Sequence, residues 1–467
     1  MNRYEADLLV VGAGSAGFSA AITAAEQGAS VVLAGWGTIG GTCVNVGCVP
    51  SKTLIRAAEA VHAGTAAHRF AGVRGQLELA DWPALRRQKN ALVTSLRKAK
   101  YEDLLPRYPA ITYLEGRARL VPGGAVVGEA QVRAERVILA TGSRPAVPEL
   151  PGLETVPWMD GTAALDQETL PGSMIVVGAG YIGVELAQMF ARFGVQVTLV
   201  CRRRLLPEAE PEISRALTGY FEEEGIHVLA GLRYRRVEAR GGGVGLTVER
   251  NGEELALTAE RLLLATGRRP DSEGLGLEAL GVARDGKGAV LVDTHMRTSR
   301  AGIYAAGDVT GRHMFVYMAA HGGRIAALNA LEGDLHSYDD TAVPSVVFSD
   351  PQVASVGLTE AAAVAAGLAV RISVLPLDQL PRALAARDTR GLVKLVAERE
   401  SGRLLGVHIL APEGADSIET GVLALRQGLT VRELGAMIFP YLTTVEALKL
   451  AAQAFDRDLS GLSCCAG

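Results

Sequence analysis

At 467 residues the chain is too long for one hydrophobic core and points to two or three domains. Hydrophobic residues make up 48% and charged residues 21%, which supplies a substantial core and argues against disorder. A formal net charge of −4 gives no global reason for binding nucleic acid or a membrane surface.

The first recognisable unit runs from Leu8 to Leu33, LLVVGAGSAGFSAAITAAEQGASVVL. An apolar run of strand type leads into G-x-G-x-x-G, then a helix-period stretch of small and apolar residues, then a second β-branched run. Leu8 to Ala25 and Gln27 to Ser51 carry no charged residue. Their turn-like glycines and the non-basic start of the chain favour buried βαβ elements over a signal peptide or membrane span. A cytoplasmic protein is therefore expected, and in that reducing compartment its five cysteines do not suggest a structural disulfide framework. Gly12 would allow the tight turn, Gly14 the approach of a pyrophosphate, and Gly17 close helix-to-strand packing, with the phosphates at a helix N-terminus. The second strand ends VVLAGWG, so Gly35 occupies the position where an acid normally meets the ribose. That departure weakens one ribose contact and leaves the pyrophosphate site.

Next comes GGTCVNVGCVPSK, Gly40 to Lys52, with Cys43 and Cys48 spaced C-x4-C. The sulfurs come within disulfide reach if the segment starts a helix, and a helix N-terminus favours thiolate over thiol. Two small buried packing residues are the competing reading. Zinc is disfavoured, because no second Cys or His pair lies nearby in sequence.

Further on, ILATGSRP, with Thr141 and Gly142, and LLATGRRP, with Gly267, are apolar strands that end in a glycine turn. Between them a linker rich in Pro and Gly, PAVPELPGLETVP, leads to a second copy of the first pattern, MIVVGAGYIGVELAQMFARFGVQVTLV from Met174 to Val200. Gly178, Gly180 and Gly183 repeat the three glycine roles. Two such units imply two dinucleotides, and different dinucleotides would imply electron transfer between them. After this second unit the strand ends VTLVCRRRLLP, with Cys201 at the acid position followed by Arg202, Arg203 and Arg204. Arginines there suit a 2′-phosphate, which favours NADPH over NADH, although a solvated basic loop would look the same. RGGGVG from Arg240 reads as a hairpin turn, and GIYAAGDV puts Asp308 after a strand and a glycine, as a cofactor-hydroxyl acceptor, a helix N-cap or both. PSVVFSDPQVASVG opens an antiparallel sheet, and the chain closes with LSCCAG, which holds Cys464 and Cys465.

Taken in order, these motifs resemble the flavoprotein disulfide reductase family across essentially the whole chain. The resemblance implies an α/β fold of two Rossmann-like domains plus a C-terminal α+β dimerisation domain. The limits expected are 1–150 and 271–335 for the FAD domain, 151–270 for the NADPH domain and 336–467 for the last. It implies FAD on the first glycine motif, with Gly41, Thr42, Thr141, Gly142, Gly267 and Asp308 among the cofactor contacts, and NADPH on the second, with Arg202 and Arg203. Cys48 would be the flavin-facing thiolate and Cys43 the substrate-facing thiol. Lys52 would lie near the reactive flavin edge, paired with Glu185, and Tyr181 would cover the nicotinamide pocket.

Departures from the family pattern narrow the substrate. Where thiol-directed members carry His-Pro followed by Glu, this chain reads FPYLTTVEALKL, with Tyr441 five residues before Glu446 and no histidine. A phenol that titrates near 10 is a poor proton shuttle for dithiols. Adjacent cysteines on a terminal tail suit capture and transfer of a soft metal ion. The combination resembles the mercury(II)-reducing branch of the family. It implies that Hg(II), arriving as a complex with small thiols, passes from Cys464 and Cys465 to Cys43 and Cys48 and leaves as Hg(0). It also implies a homodimer in which Tyr441, Cys464 and Cys465 complete the partner's site. The small N-terminal CxxC domain that many such enzymes carry is not in this sequence, so a catalytic core is expected. A thioredoxin-reductase-like relay and a non-enzymatic mercury-binding protein are the alternatives.

Overall fold

The structure is a computed structural model and describes residues 2–458. The chain divides into two compact units, each assembled from three stretches. The first takes residues up to Thr53, Pro83–Val147 and Gly267–Asp339; the second takes Leu54–Trp82, Pro148–Thr266 and the chain from Asp340 on.

The first unit is built on a five-stranded parallel sheet in the order Ile303–Ala305, Arg136–Leu139, Leu8–Val11, Val31–Gly35, Ile111–Glu115. Its central strands, LLVV and VVLAG, are buried at every position, as expected for parallel strands covered on both faces. Helix Ser15–Glu26 follows the first glycine turn, and its small residues Ala16, Ala20, Ala21 and Ala24 let it lie close on its neighbours. A smaller sheet, Arg3–Glu5, Ala130–Arg133, Gly124–Val127 and Ala118–Val121, shares a core with the first through Leu120, Val127, Val132 and Val137.

In the second unit a five-stranded parallel sheet runs in the order Trp158–Met159, Arg261–Leu264, Ser173–Val177, Gln196–Val200, His227–Leu229. Beside it stands an antiparallel sheet of Arg233–Arg240, Gly243–Arg250 and Glu253–Ala259. The turn expected at RGGGVG is a two-residue hairpin: Arg240 pairs with Gly243, and Gly241 and Gly242 take φ of 58° and 83°. Two successive positive φ values match the strand twist and select glycine.

The C-terminal stretch of this unit forms a five-stranded antiparallel sheet, Ser345–Val347, Gln352–Gly357, Leu404–Ala411, Leu392–Glu398, Val370–Pro376. The central strand Leu404–Ala411 is wholly buried, whereas in the edge strand only Ser373 and Leu375 are buried, alternating with exposed neighbours, and Pro376 ends it. Helices Gly414–Arg426, Val431–Ala436 and Glu446–Gln453 cover the sheet, and a Thr430–Glu433 capping box fixes the start of the second. Among the described residues no helix is long and apolar enough to cross a membrane.

Candidate functional site

The two glycine turns leave their helix ends open to an anion. Helices Ser15–Glu26 and Tyr181–Arg192 begin at Gly14 and Gly180 with no side-chain cap and no acidic residue in the first turn. Their first N–H groups are thus available to phosphate, with the helix dipole favouring it. A Cβ on Gly12 would lie 2.1 Å from the Ala140 carbonyl oxygen, and one on Gly178 2.3 Å from that of Ala265. Each turn is pressed against the end of a neighbouring strand, as a dinucleotide cradle requires. Gly41, with φ of 72°, packs on Gly14 so closely that a Cβ would stand 2.6 Å from the Gly14 Cα. The cradle thus extends into the cysteine segment, beside Thr42. The residues present fit a bound dinucleotide in each unit.

The cysteine segment is two helices rather than one. Gly41–Val46 carries Cys43, the backbone breaks at Gly47, and Cys48 opens the 19-residue helix Cys48–Ala66. In a continuous helix, residues five apart project about 140° from one another, so the break brings the sulfurs together. Space at Gly47 is tight, because a Cβ would sit 3.0 Å from the Thr42 carbonyl oxygen and 3.3 Å from the Cys43 Cα. Asn45 braces the short helix, its amide donating to the Ile39 and Gly41 carbonyls at 2.8 and 2.9 Å while Arg97 donates to its Oδ1 at 3.2 Å.

Cys43 and Cys48 are free thiols and hydrogen-bond each other. That bond, then burial, then the charge of Cys48 push the Cys43 thiol far above its ordinary range, with Lys52 pulling the other way. One proton is therefore retained on Cys43 while Cys48, at a helix N-terminus one turn before Lys52, is the better place for a negative charge. Tyr101, which sequence reasoning missed, lies in a π-helical segment, Lys98–Glu102, and stands edge-on to Phe18 with ring centroids 4.9 Å apart. Burial raises its phenol, a hydrogen bond with Ser15 opposes this, and the charges of Cys43 and Cys48 raise it further. A one-residue helix expansion leaves no composition signal, although such expansions cluster at functional sites.

Asp308 opens a short 3-10 turn, Asp308–Thr310, and Phe315 precedes the helix Val316–Glu332. The N-cap role weighed for Asp308 is therefore corrected. Its carboxylate instead accepts from the Ser143 hydroxyl at 2.6 Å, and Ser143 in turn accepts from Arg268 at 2.7 Å. Thr141 donates to the Asp271 carbonyl at 2.6 Å, and the Gly142 carbonyl accepts from the Asp271 N–H at 2.9 Å. Gly267, with φ of 104°, lies in the turn that follows strand Arg261–Leu264.

In the second unit Tyr181 is the first residue of its helix and is half-exposed. Glu185 and Gly183 are buried on the same helix, and the Phe348 N–H donates to Glu185 at 2.9 Å. Lys52 belongs to the first unit and Glu185 to the second. The three arginines separate by role. Arg204 donates to the Pro207 and Ala209 carbonyls at 3.0 and 2.7 Å and so closes its own loop. Arg203 pairs with Glu208 at the surface, and Arg202 lies over the Tyr234 ring at 6.0 Å. Cys201 is buried and its thiol is pushed up to about 11, chiefly by burial, so it is inert at neutral pH. Tyr441 is half-exposed, just before Leu442, whose φ is 63°. Glu446 is buried, and burial raises its carboxyl. Cys464 and Cys465 lie outside the described residues. Among the described residues no three His, Cys, Asp or Glu side chains gather as a metal site.

Two uncapped dinucleotide cradles, a hydrogen-bonded cysteine pair against the first of them, and an antiparallel C-terminal sheet define a class. Residues 6–323 match the pyridine nucleotide-disulphide oxidoreductase model, and residues 343–452 match the dimerisation domain of the same proteins. The chain belongs to this family. Mercuric reductase from Streptomyces lividans is 46% identical over 467 residues, 99% of this chain and 98% of that protein. Mercuric reductase from Acidithiobacillus ferrooxidans is also 46% identical, over 99% of this chain and 85% of its own. Among solved structures, the HOCl-induced flavoprotein disulfide reductase RclA from Escherichia coli is 30% identical with a TM-score of 0.85, covering 96% of this chain and 99% of that one.

Proposed function

We propose that the chain is an NADPH-dependent mercury(II) reductase that acts as a homodimer, with FAD as resident cofactor and thiol complexes of Hg(II) as substrate. The observation that carries this reading is the Cys43–Cys48 pair, drawn together by the Gly47 break, in a chain 46% identical to a mercuric reductase over 98% of that protein's length. The dimerisation-domain match supports the homodimer. Bound FAD supplies a two-electron relay between a nicotinamide hydride and the cysteine sulfurs.

The protein's own residues do the rest. The turn at Gly12, Gly14 and Gly17 with Gly41 and Thr42 would hold one pyrophosphate, and Gly178, Gly180 and Gly183 the other. Arg202 and Arg203 are the cations left for a 2′-phosphate, since Arg204 is committed to its loop. Cys48 holds negative charge at its helix N-terminus, with Lys52 one turn on and Glu185 as the proposed partner of that lysine. Cys43 gives up its proton when Hg(II) binds, because a soft cation replaces the proton on sulfur. Two electrons delivered to Hg(II) yield a neutral atom, and the attraction that held it between thiolates is gone. Tyr181 would cover the nicotinamide pocket, while Tyr441, Cys464 and Cys465 would serve the partner's site, taking Hg(II) from small thiols. Tyr441 in place of a histidine five residues before Glu446 argues against a thioredoxin-reductase-like relay.

The test is NADPH oxidation by the purified protein with Hg(II) in excess small thiol, run beside oxidised glutathione and lipoamide, with volatile mercury trapped. Turnover with Hg(II) alone and recovery of Hg(0) are expected. Consumption of NADPH with a disulfide and not with Hg(II) would overturn the reading.

A further inference from the structure

The acid that usually anchors the adenosine ribose at the end of the second strand is replaced by Gly35. The structure fills that space with a different side chain. Strands Val31–Gly35 and Ile111–Glu115 are parallel neighbours, with Leu33 in register with Tyr113 and Gly35 with Glu115. A Cβ on Gly35 would stand 2.6 Å from the Tyr113 hydroxyl oxygen, 2.9 Å from its ring Cε2 and 2.8 Å from the Ala13 Cβ. These separations are well inside van der Waals contact, so the phenol occupies the root of the volume a residue-35 side chain would take. Ala13 is part of the phosphate turn between Gly12 and Gly14. The hydroxyl thus sits beside the pyrophosphate cradle, on the side of the strand end where the next group of a dinucleotide, its ribose, would lie.

Tyr113 is half-buried, and burial followed by the charge of Glu115 raises its phenol, so it stays a neutral O–H at working pH. Among the described residues none hydrogen-bonds its hydroxyl. We propose that the Tyr113 hydroxyl, given room by Gly35, binds the ribose hydroxyls of the FAD adenosine in place of a carboxylate. The inference rests on FAD being the dinucleotide of the first unit and not on the metal reduced. A phenol donates one hydrogen bond and accepts another, whereas a carboxylate accepts from both ribose hydroxyls with charge assistance. The exposed Glu115, at the end of the adjacent strand, is the competing ligand.

The experiment measures FAD release from the holoenzyme on dilution, read as the fluorescence of free flavin. The samples are the parent, Tyr113→Phe, Glu115→Gln, Gly35→Glu and the double variant Gly35→Glu with Tyr113→Val. Tyr113→Phe is expected to weaken FAD about ten-fold and to leave the melting temperature of the stripped protein unchanged. An FAD analogue without the adenosine 2′- and 3′-hydroxyls is expected to bind the parent and Tyr113→Phe alike. Gly35→Glu alone is expected to weaken FAD, because the phenol and Ala13 block the new side chain, and adding Tyr113→Val to recover affinity. Equal FAD retention by the parent and Tyr113→Phe would overturn the assignment. So would transfer of the loss to Glu115→Gln, or equal weakening of FAD and the analogue, which marks Tyr113 as a packing residue. If the parent itself holds no FAD, the cofactor reading of the first unit fails and the assignment falls with it.

Discussion

Replacing Lys394 by methionine is expected to loosen the C-terminal sheet by about 3 kcal/mol, and the structure indicates which carboxylate sets that cost. Lys394 is fully buried and donates to Glu360 at 2.7 Å, Glu210 at 2.9 Å and Glu212 at 3.1 Å. Glu212 and Glu360 keep 31% and 39% side-chain exposure and can turn to water when the cation is removed, whereas Glu210, at 1%, cannot. Breaking a buried pair from one side costs ~3–5 kcal/mol, and the low end applies because Glu210 still accepts from the Glu360 N–H at 2.7 Å. The assay is hydrogen exchange of the amides of Leu392–Glu398 and Leu404–Ala411 in the FAD-loaded protein, where 3 kcal/mol is a factor of about 150 in local opening. Adding Glu210→Gln to Lys394→Met is expected to restore most of the protection, since no buried charge is then left. Equal protection in the single and double variants would refute the reasoning. The pH dependence has a defined sign. Burial opposes the Lys394 charge, but the three carboxylates raise its pKa, so its share is fully present below about 10.4 and lost only as pH rises through the folded value. Burial raises Glu212, yet its backbone bond and Lys394 leave it lowered, so its share fails only as pH falls through a value below about 4.3. Burial lowers His408, so its contribution is lost first, from about pH 6.5 downward.

Cys48→Ala removes two of the three causes that raise Cys43, its hydrogen bond and its charge, and leaves burial. The pH midpoint for alkylation of Cys43 is expected to fall toward the ordinary thiol value of about 8.5; an unchanged midpoint would show that burial alone governs it. Arg203→Ala is expected to raise the KM for NADPH with little change for NADH, whereas Arg204→Ala, which uncaps the Pro207 and Ala209 carbonyls, is expected to lower thermal stability and to affect both coenzymes equally. Steady-state kinetics with the two coenzymes separates these outcomes. Gly47→Val is expected to drive the two short-range contacts at Thr42 and Cys43 apart and to abolish Hg(II) turnover while FAD is retained, checked by the flavin absorbance of the purified variant.

Much of the site was legible because its constraints are local. A turn that presses on a strand end excludes every side chain, so Gly12 and Gly178 announce themselves in sequence, and the strand-turn-helix-strand context makes the pair informative. The C-x4-C spacing was legible as a pair of sulfurs within reach of each other, but the means of bringing them together was not. A single helix start was expected, whereas the structure uses a break at Gly47. Arg202, Arg203 and Arg204 read as one basic cluster, and only the carbonyl geometry of the following loop sets the third apart. Long-range pairings carry no local signal at all. Lys394 and Glu210 are 184 residues apart, and nothing in either neighbourhood marks them as a buried pair. Gly35 read as the loss of a ligand because the register with Tyr113 is a property of the sheet.

The second dinucleotide helix shows how such hidden pairings bear on the chemistry. Along Tyr181–Arg192, the polar residues Glu185, Gln188 and Arg192 recur at helical spacing on a face that is otherwise apolar and buried. Each is engaged by the connection between Ser345–Val347 and Gln352–Gly357, the first two strands of the antiparallel sheet of the same unit. The Phe348 N–H donates to Glu185, the Asp350 N–H to Gln188 at 2.8 Å, and Arg192 reaches the Asp350 carboxylate at 2.9 Å and Glu224 at 2.7 Å. Burial works against the Arg192 charge, yet Glu224 and Asp350 outweigh it and hold the guanidinium above its ordinary value. Polar groups buried without such partners would cost ~1–3 kcal/mol each, so the helix has one favourable seating against that segment. Tyr181 begins this helix, directly after the phosphate turn at Gly178 and Gly180. The polar face that looks misplaced in a hydrophobicity pattern is therefore what seats the helix that follows the second glycine turn.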